Sequence, residues 1–388
     1  MALPVPLLRR AEAVVRPIIV IGGGLAGGAV ATRLARSGHA VTVLERETGP
    51  HEKVCGEFLS VEACRDLERL GLPPASLGGV AIDRVRVHHR GHTVEAPLPF
   101  VAQSLGRASL DEALLQAAQA SGAEVLRGVR VTGIEGDTVL ANDRTRDAEH
   151  ILLATGKHDL RGLPRAAPAT RDGYVGFKMH WRLPPDALRD LGSAIELFLF
   201  GQGYAGLQRV GVDGANLCLV VNRRHFTSLG GSWEALLGDL LRNDMLRRRL
   251  DGAEPLMARP LAIANLPYGY RYQPQRDAPD RIWRLGDQAA MTASLSGDGM
   301  AGALRSAHLA ADCIEAGAGP LAFHEALARQ TGGQVRRAML LQRLAERPAA
   351  LQVGMMAARV FPGLLTIGAR ATRLSDGHAR VVRTTAAL

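Results

Sequence analysis

The chain has 388 residues, of which 47% are hydrophobic and 22% charged, and its formal net charge is +9. This length is sufficient for two substantial domains, each with its own hydrophobic core. Much of the positive charge lies after Arg329, and neither a nucleic-acid-binding motif nor a series of stacking aromatic residues accompanies it, so the composition argues against DNA or RNA binding.

The N-terminus and the cysteines bear on targeting and on metals. Residues 1–16 contain three arginines between short apolar pieces and are interpreted as an N-terminal extension, because they are too short for a secretory signal with its cleavage site. The four cysteines lack the paired spacing of metal ligands, which favours a reducing cytoplasm and predicts no metal site. No run of about twenty apolar residues predicts a transmembrane span.

The segment 18–45 predicts a nucleotide-binding βαβ unit. An apolar run, 18–21, leads into a glycine-rich loop, a helix of small residues and a second apolar run, 41–45. The loop and its flanks supply these candidate residues: Gly22, Gly24, Leu25, Ala26, Gly27 and Glu45. The first glycine allows a tight turn, the second lets the backbone approach a pyrophosphate, and the third lets the helix pack closely on the sheet. The helix N-terminus faces the anion, and the glutamate can accept hydrogen bonds from a ribose.

Two later segments favour FAD over NAD. Residues 151–156 read as a buried strand ending in a small-residue turn, which resembles the strand that closes over the cofactor in flavoproteins with two dinucleotide folds. Residues 284–290 include Gly286 and Asp287 and resemble the Gly-Asp segment that holds the FAD ribityl chain. The glycine turn 297–300 and the Ala-rich helix after it resemble the part that faces the flavin pyrimidine.

On these segments the chain resembles the FAD-dependent monooxygenases of the p-hydroxybenzoate hydroxylase type, and within them the geranylgeranyl-reductase-like branch. The resemblance covers roughly residues 15 to 330. Its branch-specific pieces are segments 53–60, 154–161, 203–207 and 216–219. It implies non-covalent FAD, NAD(P)H as electron donor, and a loop around Cys55 beside the isoalloxazine.

The resemblance also implies the site residues. The residues expected to contact FAD are Gly22, Gly24, Leu25, Ala26, Gly27, Glu45, Arg46, Cys55, Arg107, Val131, Gly156, Asp287, Gly297, Gly299 and Met300. The candidate catalytic residues are Cys55, which could also be a small buried apolar residue, and Tyr204.

The order of segments predicts an α/β fold with a discontinuous layout. A Rossmann-like FAD-binding domain, with three ββα layers, gathers residues 17–75, 105–165 and 275–330. Alternating strand patterns in 76–104 and 166–274 predict an antiparallel-sheet substrate domain over the flavin, and 331–388 form a helical C-terminal region. His180 and Trp181 lie on one of these strands, where alternation lets only one of them face the pocket.

The expected function is that of an oxidoreductase of secondary metabolism. The resemblance implies a monooxygenase that hydroxylates a lipophilic aromatic or polyketide-derived substrate through a flavin C4a-hydroperoxide. Two departures bear on this: Thr155 stands where the hydroxylases carry Asp, and Ser294 where they carry proline. The alternatives are an FAD-dependent alkene reductase of prenyl or polyene lipids and a catalytically inactive flavin-binding partner protein. The Trp-x-Trp-x-Ile-Pro element of flavin halogenases is absent.

Two charged segments keep two interpretations each. The turn 157–161 is either an ion-pair cluster or a landing place for NAD(P)H phosphates. The arginine-rich C-terminal helices, with apolar pieces at 351–356 and 360–365, either present a solvated face or lie on an anionic membrane, which would make a cytoplasmic protein membrane-peripheral.

Overall fold

The computed structural model describes residues 16–142, 144–165, 173–200, 202–274 and 280–374. Residues 1–15 of the predicted extension and 375–388 of the predicted C-terminal region lie outside the described residues. The strands are β1 (Ile18–Ile21), β2 (Val41–Glu45), β3 (Phe58–Leu59), β4 (Val80–His89), β5 (His92–Ser104), β6 (Glu124–Arg127), β7 (Val131–Glu135), β8 (Thr138–Ala141), β9 (Arg144–Asp147), β10 (Ile151–Leu153), β11 (Tyr174–Arg182), β12 (Ala194–Phe200), β13 (Gly203–Val210), β14 (Gly214–Asn222), β15 (Glu254–Pro255), β16 (Leu261–Ala264) and β17 (Ile282–Arg284). The helices are α1 (Leu25–Arg36), α2 (Val61–Arg69), α3 (Arg107–Ala120), α4 (Pro185–Leu191), α5 (Arg223–Ser228), α6 (Trp233–Leu240), α7 (Asp244–Leu250), α8 (Gly299–Glu315), α9 (Pro320–Ala345), α10 (Pro348–Val360) and α11 (Gly363–Ala371).

Five parallel strands form a Rossmann-like sheet in the order β17-β10-β1-β2-β6. Every residue of β1 is buried, because both faces of the sheet are covered. Ile18 and Val20 pack against helices α1, α3 and α8, whereas Ile19 and Ile21 pack against the antiparallel sheet β7-β8-β9. This alternation gives the three ββα layers that the sequence predicts, and the fold class is confirmed.

A second sheet of nine strands runs in the order β15-β11-β14-β13-β12-β4-β5-β3, with β16 also paired to β11. Its central strands β11 and β14 are antiparallel, and Phe177 pairs with Leu219. Helices α4 to α7 cover one face of this sheet around Phe177 and Leu217. The opposite face is turned toward the segment 52–57, which it contacts through Lys178, His180 and Asn216. The predicted domain limits stay a prediction.

The C-terminal helices lie across both sheets. Helix α9 begins with Pro320, whose fixed φ suits the first turn of a helix, and it packs against β17. Helix α10 places Leu351 and Met355 against Val85 of β4. Arg373, just after α11, forms an ion pair of 2.8 Å with Asp298, at the N-terminus of α8. Among the described helices, none is both long and apolar enough to cross a membrane.

Candidate functional site: a cavity between the two sheets

A cavity of about 940 Å³ extends from the glycine-rich loop, past the nine-stranded sheet, to helices α9, α10 and α11. Of the predicted site residues, all except Gly27 line it, and both candidate catalytic residues are among them. One chamber therefore brings together side chains from distant parts of the sequence, as a cofactor and substrate site requires.

The glycine-rich loop has no room for side chains at two positions. Gly22 has a φ of +100°, and a Cβ there would lie 2.6 Å from the carbonyl oxygen of Ala154. A Cβ on Gly27 would lie 1.8 Å from the carbonyl oxygen of Gly22, so this glycine sets the contact between helix and strand instead of lining the cavity. Only glycine fits either position.

The N-terminus of α1 forms a cradle for an anion. Gly24 caps it without a side-chain hydrogen bond, and the first turn contains no acidic residue. A Cβ on Gly24 would lie 3.3 Å from Lys53 Nζ and 3.7 Å from an Nη of Arg107, so two cations reach the space in front of the helix. Free N–H groups, the helix dipole and two cations together fit a pyrophosphate.

Asp111 holds the two cations of this cradle in place. Its carboxylate accepts hydrogen bonds from Lys53 Nζ at 2.8 Å and from Arg107 Nε and Nη at 3.0 and 2.9 Å. Burial raises the pKa of Asp111, but the charges of Arg107 and Lys53 outweigh it and leave that pKa below its usual value. The sequence analysis missed Lys53 and Asp111, although the four-residue spacing of Arg107 and Asp111 on a helix was a signal.

Glu45 lies at the end of β2 and is buried. Its Oε2 accepts a hydrogen bond from the Gly23 N–H at 2.6 Å, and its Oε1 accepts one from the Glu47 N–H at 2.9 Å. The carboxylate is thereby fixed beside the glycine loop and keeps lone pairs for a ribose hydroxyl. Its neighbour Arg46 also lines the cavity and pairs with Glu47 at 2.8 Å.

The loop that carries Cys55 is anchored through its backbone. The Val54 carbonyl accepts from Lys157 Nζ at 2.9 Å, and the Cys55 carbonyl accepts from Asn216 Nδ2 at 3.0 Å. The Cys55 sulfur accepts the Glu57 N–H at 3.4 Å and lines the cavity. The structure thus fixes the position of this thiol, while its chemical role stays a prediction.

A buried charge cluster that the sequence analysis missed lies behind this loop. Glu57 is fully buried at a φ of +59°, and its carboxylate accepts hydrogen bonds from Lys178 Nζ, from His180 Nε2 at 2.8 Å and from the Arg107 N–H at 2.8 Å. Lys178, also fully buried, donates to Glu52 as well. The signal was the i, i+2 spacing of Lys178 and His180, which puts both on one face of β11.

The cluster is ionised in the folded protein. Burial raises the pKa of Glu57, but hydrogen bonding to His180 and the charge of Lys178 lower it below its usual value. Burial lowers the pKa of Lys178, yet Glu57 and Glu52 raise it above its usual value. Glu52, Glu57 and His180 have the atoms of a metal site within 4.8 Å, but the Lys178 ammonium already supplies the cation that both carboxylates contact.

Three hydroxyl groups meet on the cavity wall. The Tyr204 hydroxyl donates to Ser294 Oγ at 2.7 Å, and the Tyr268 hydroxyl shares a hydrogen bond of 2.8 Å with the same Oγ. Three hydroxyl protons and two internal hydrogen bonds leave one proton free to donate to a ligand oxygen. Burial raises the pKa of both phenols above the usual value, so they stay protonated at neutral pH.

The charged turn 157–161 is occupied by internal contacts. Arg165 donates to Asp159 at 2.7 Å and to the Lys157 carbonyl at 2.7 Å. Gln288 Nε2 donates to the Gly156 carbonyl at 2.8 Å. These contacts form the ion-pair cluster of the two interpretations and tie the turn to the Gly-Asp segment.

The far end of the cavity is apolar. Its walls come from β4, β5 and β12 on one side and from α10 and α11 on the other. The side chains there include Val85, Val87, Leu98, Ile195, Leu197, Leu199, Leu351, Met355 and Leu365. This composition suits a lipophilic molecule and excludes water.

The sequence model of the family described as an NAD(P)-binding Rossmann-like domain matches residues 20–56. A menaquinone reductase of Mycolicibacterium smegmatis is 27% identical over 157 residues, which are 37% of this chain and 38% of the relative. A squalene monooxygenase of Eremothecium gossypii is 33% identical over 101 residues, 26% of this chain and 20% of the relative. The chain thus matches less than two fifths of the length of these relatives.

Similarity to solved structures extends over most of the chain. The flavin-dependent brominase Bmp2 superposes with a TM-score of 0.75 at 17% identity, over 92% of this chain and 93% of that one. At this identity the likeness speaks for the fold. Together with the local sequence similarities, it places the chain in the FAD-dependent monooxygenase superfamily.

Proposed function

We propose that this protein is an FAD-dependent monooxygenase that hydroxylates a lipophilic aromatic or polyketide-derived substrate with NAD(P)H as electron donor. The observation that carries the proposal is the continuity of one cavity from the anion cradle at Gly24, through the hydroxyl cluster at Ser294, to the apolar end at Leu351. This arrangement suits a dinucleotide, a polar reacting group and an apolar remainder in that order.

The residues divide the work of binding. Lys53, Arg107 and the N-terminus of α1 would hold the pyrophosphate of FAD, and Glu45 its ribose. Gly297 and Gly299 line the cavity at the N-terminus of α8, where backbone N–H groups would meet the flavin ring. FAD, when bound, supplies the transfer of electrons from NAD(P)H and the reaction of the reduced cofactor with oxygen.

The protein's own part in the reaction is positioning and exclusion of water. The free proton of the hydroxyl cluster of Tyr204, Tyr268 and Ser294 would bind a phenolic or carbonyl oxygen of the substrate and orient its ring. The apolar walls keep the reacting end dry. One oxygen atom of O₂ enters the product and the other leaves as water, with NAD(P)H as the two-electron reductant.

Isotope labelling tests the proposal. The protein reconstituted with FAD is incubated with NADH or NADPH, a long-chain alkylphenol and ¹⁸O₂, and the products are analysed by mass spectrometry. Incorporation of one labelled oxygen atom per product molecule is expected. Product that gains two hydrogen atoms without label would overturn hydroxylation.

The second candidate is an FAD-dependent alkene reductase of prenyl or polyene lipids. Cys55 on the cavity wall and the similarity to a menaquinone reductase favour it. With a polyprenyl substrate, it predicts saturation of one double bond and no labelled oxygen. If neither nicotinamide nucleotide reduces the bound flavin, both enzymes are excluded and the inactive partner protein remains.

We also propose a cytoplasmic location. Cys55, Cys64, Cys218 and Cys313 are all free thiols in the described chain. Free thiols in this number suit a reducing compartment. Alkylation of all four in freshly lysed cells under non-reducing conditions is the expected result, and a disulfide-linked species would contradict the proposal.

A further inference from the structure

Exposed apolar side chains are concentrated in one part of the described chain. Of thirteen large hydrophobic side chains that are exposed there, nine lie between residues 340 and 367. These nine define the C-terminal apolar face: Leu340, Leu341, Leu344, Val353, Met356, Val360, Phe361, Leu364 and Ile367. Such a concentration marks a surface that contacts an apolar partner.

Helix α10 is apolar on two opposite sides. Leu351, Met355 and Ala358 are buried against the cavity and the nine-stranded sheet. Val353, Met356 and Val360, at i, i+3 and i+7, form a second stripe that is 60 to 69% exposed. A helix on a water-exposed surface needs only one apolar side, so the outer stripe requires a second apolar surrounding.

Arginines flank the C-terminal apolar face. Between residues 340 and 374 the sequence contains five arginines and one glutamate, Glu346. Arg343, Arg347, Arg359 and Arg370 are exposed, and none of them forms an ion pair with another residue in the described part of the chain. Uncompensated positive charge around an apolar face complements an anionic lipid surface.

The cavity reaches this same face. Leu341, Leu344 and Leu364 line the cavity, and they are also 36 to 42% exposed. They lie at the end of α9 and the start of α11, on either side of α10. The apolar end of the cavity therefore opens between these helices, in the middle of the C-terminal apolar face.

We infer that the C-terminal apolar face docks on an anionic lipid bilayer, so that a lipophilic substrate passes from the bilayer into the cavity between α9, α10 and α11. The part concerning substrate entry rests on the proposed function, whereas docking does not. Helices α10 and α11 have 13 and 9 residues and would lie in the plane of the membrane interface. Phe361, between them, would insert deepest, being 67% exposed.

Sedimentation with vesicles tests the docking. The purified full-length protein is mixed with sucrose-loaded vesicles of phosphatidylcholine, with or without phosphatidylglycerol, in the absence of substrate. Binding is expected to the anionic vesicles and to weaken with salt. The double variant Phe361→Ser/Ile367→Ser should bind about tenfold more weakly, because each change removes an apolar side chain from the interface. Val212→Ser, at a position 87% exposed outside this face, is the matched control and should bind like the wild type.

A charge variant separates the two contributions. Arg359→Glu/Arg370→Glu should lose binding to anionic vesicles by about tenfold. Arg242→Glu, an exposed arginine on another part of the surface, should leave it unchanged. Equal binding of all variants, or no vesicle binding by the wild type, would overturn the inference.

A second copy of the chain is the competing occupant of this face. Sedimentation velocity of the wild type and of Phe361→Ser/Ile367→Ser distinguishes it from a lipid surface. We expect a monomer in both. A wild-type dimer that the double variant abolishes would assign the face to a second copy and overturn docking. Because vesicle binding is measured without turnover, its failure leaves the isotope test of the proposed function unaffected.

Discussion

Glu57 and Lys178 form a fully buried ion pair that joins the loop of Cys55 to strand β11 of the nine-stranded sheet. The two residues are 121 positions apart in sequence. Glu57 also accepts the Arg107 N–H at the start of α3, which carries one cation of the anion cradle. One carboxylate thus links the loop, the cradle and the second sheet.

Removing one partner of this pair should be costly. Glu57→Gln leaves the Lys178 ammonium without its buried counter-ion, and we expect a loss of about 3–5 kcal/mol in the free energy of unfolding, measured by urea denaturation. The double variant Glu57→Gln/Lys178→Met should lose less than the two single variants together. Asp213→Asn breaks an exposed pair with Arg182 and should cost below about 1 kcal/mol. An equally small effect of Glu57→Gln would show that the buried pair does not hold the loop.

The contact between Gly27 and Gly22 predicts a steric effect on cofactor binding. Gly27→Ala would place a Cβ 1.8 Å from a backbone oxygen, so α1 must move away from β1 and the loop must distort. We expect loss of bound FAD, measured from the flavin absorbance of the purified protein. Gly302→Ala is the matched control, since a Cβ in that helix meets no atom within 4 Å, and it should keep FAD and gain about 0.5–1 kcal/mol of stability. Retention of FAD by Gly27→Ala would contradict the close packing.

The sequence predicts the Rossmann-like half of the structure well for a local reason. The bounds of β1 and β2 agree with the predicted runs, because strands buried on both faces are apolar throughout and glycines mark the turn between them. Helix α3 begins at Arg107, three residues before the predicted start at Leu110. Its first turn bears the polar residues of the cradle, which an apolar periodicity does not register.

The parts that sequence reasoning missed depend on contacts between distant segments. Lys178 meets Glu57 only because the second sheet is laid against the loop, and Tyr204 meets Ser294 across 90 positions. Likewise, the sequence shows that α10 is apolar and basic, but only its packing on β4 reveals which stripe is left exposed. Long-range register is not written in any single window of residues.

The hydroxyl cluster predicts a specific loss of substrate binding. Tyr204→Phe removes the phenol that donates to Ser294 and leaves two hydroxyls and one internal hydrogen bond. We expect kcat/KM for a phenolic substrate to fall about tenfold or more, mostly through KM, since a hydrogen bond in a dry pocket is worth roughly 1–3 kcal/mol. Tyr270→Phe, buried but not lining the cavity, should change it little. Equal effects of the two changes would argue against a role of the cluster in binding substrate.

The pKa of Glu196 predicts how stability depends on acid. Burial raises this pKa, but hydrogen bonds to His88 and Arg249 and the charge of Arg249 outweigh it and lower the pKa to about 2, from a usual value of 4.5. The ionised form is therefore favoured by folding, so its contribution is complete above about pH 4.5 and is lost as pH falls toward 2. From the shift we expect about 3 kcal/mol between those limits, measured by urea unfolding across that range. Glu196→Gln should flatten the acid limb while lowering stability at pH 7, because Arg249 and Arg86 keep their charges beside a neutral amide. Glu95→Gln is the control, since Glu95 pairs with Arg86 at an exposed position and should leave most of the acid limb intact. An unchanged acid limb in Glu196→Gln would assign the acid sensitivity to other carboxylates.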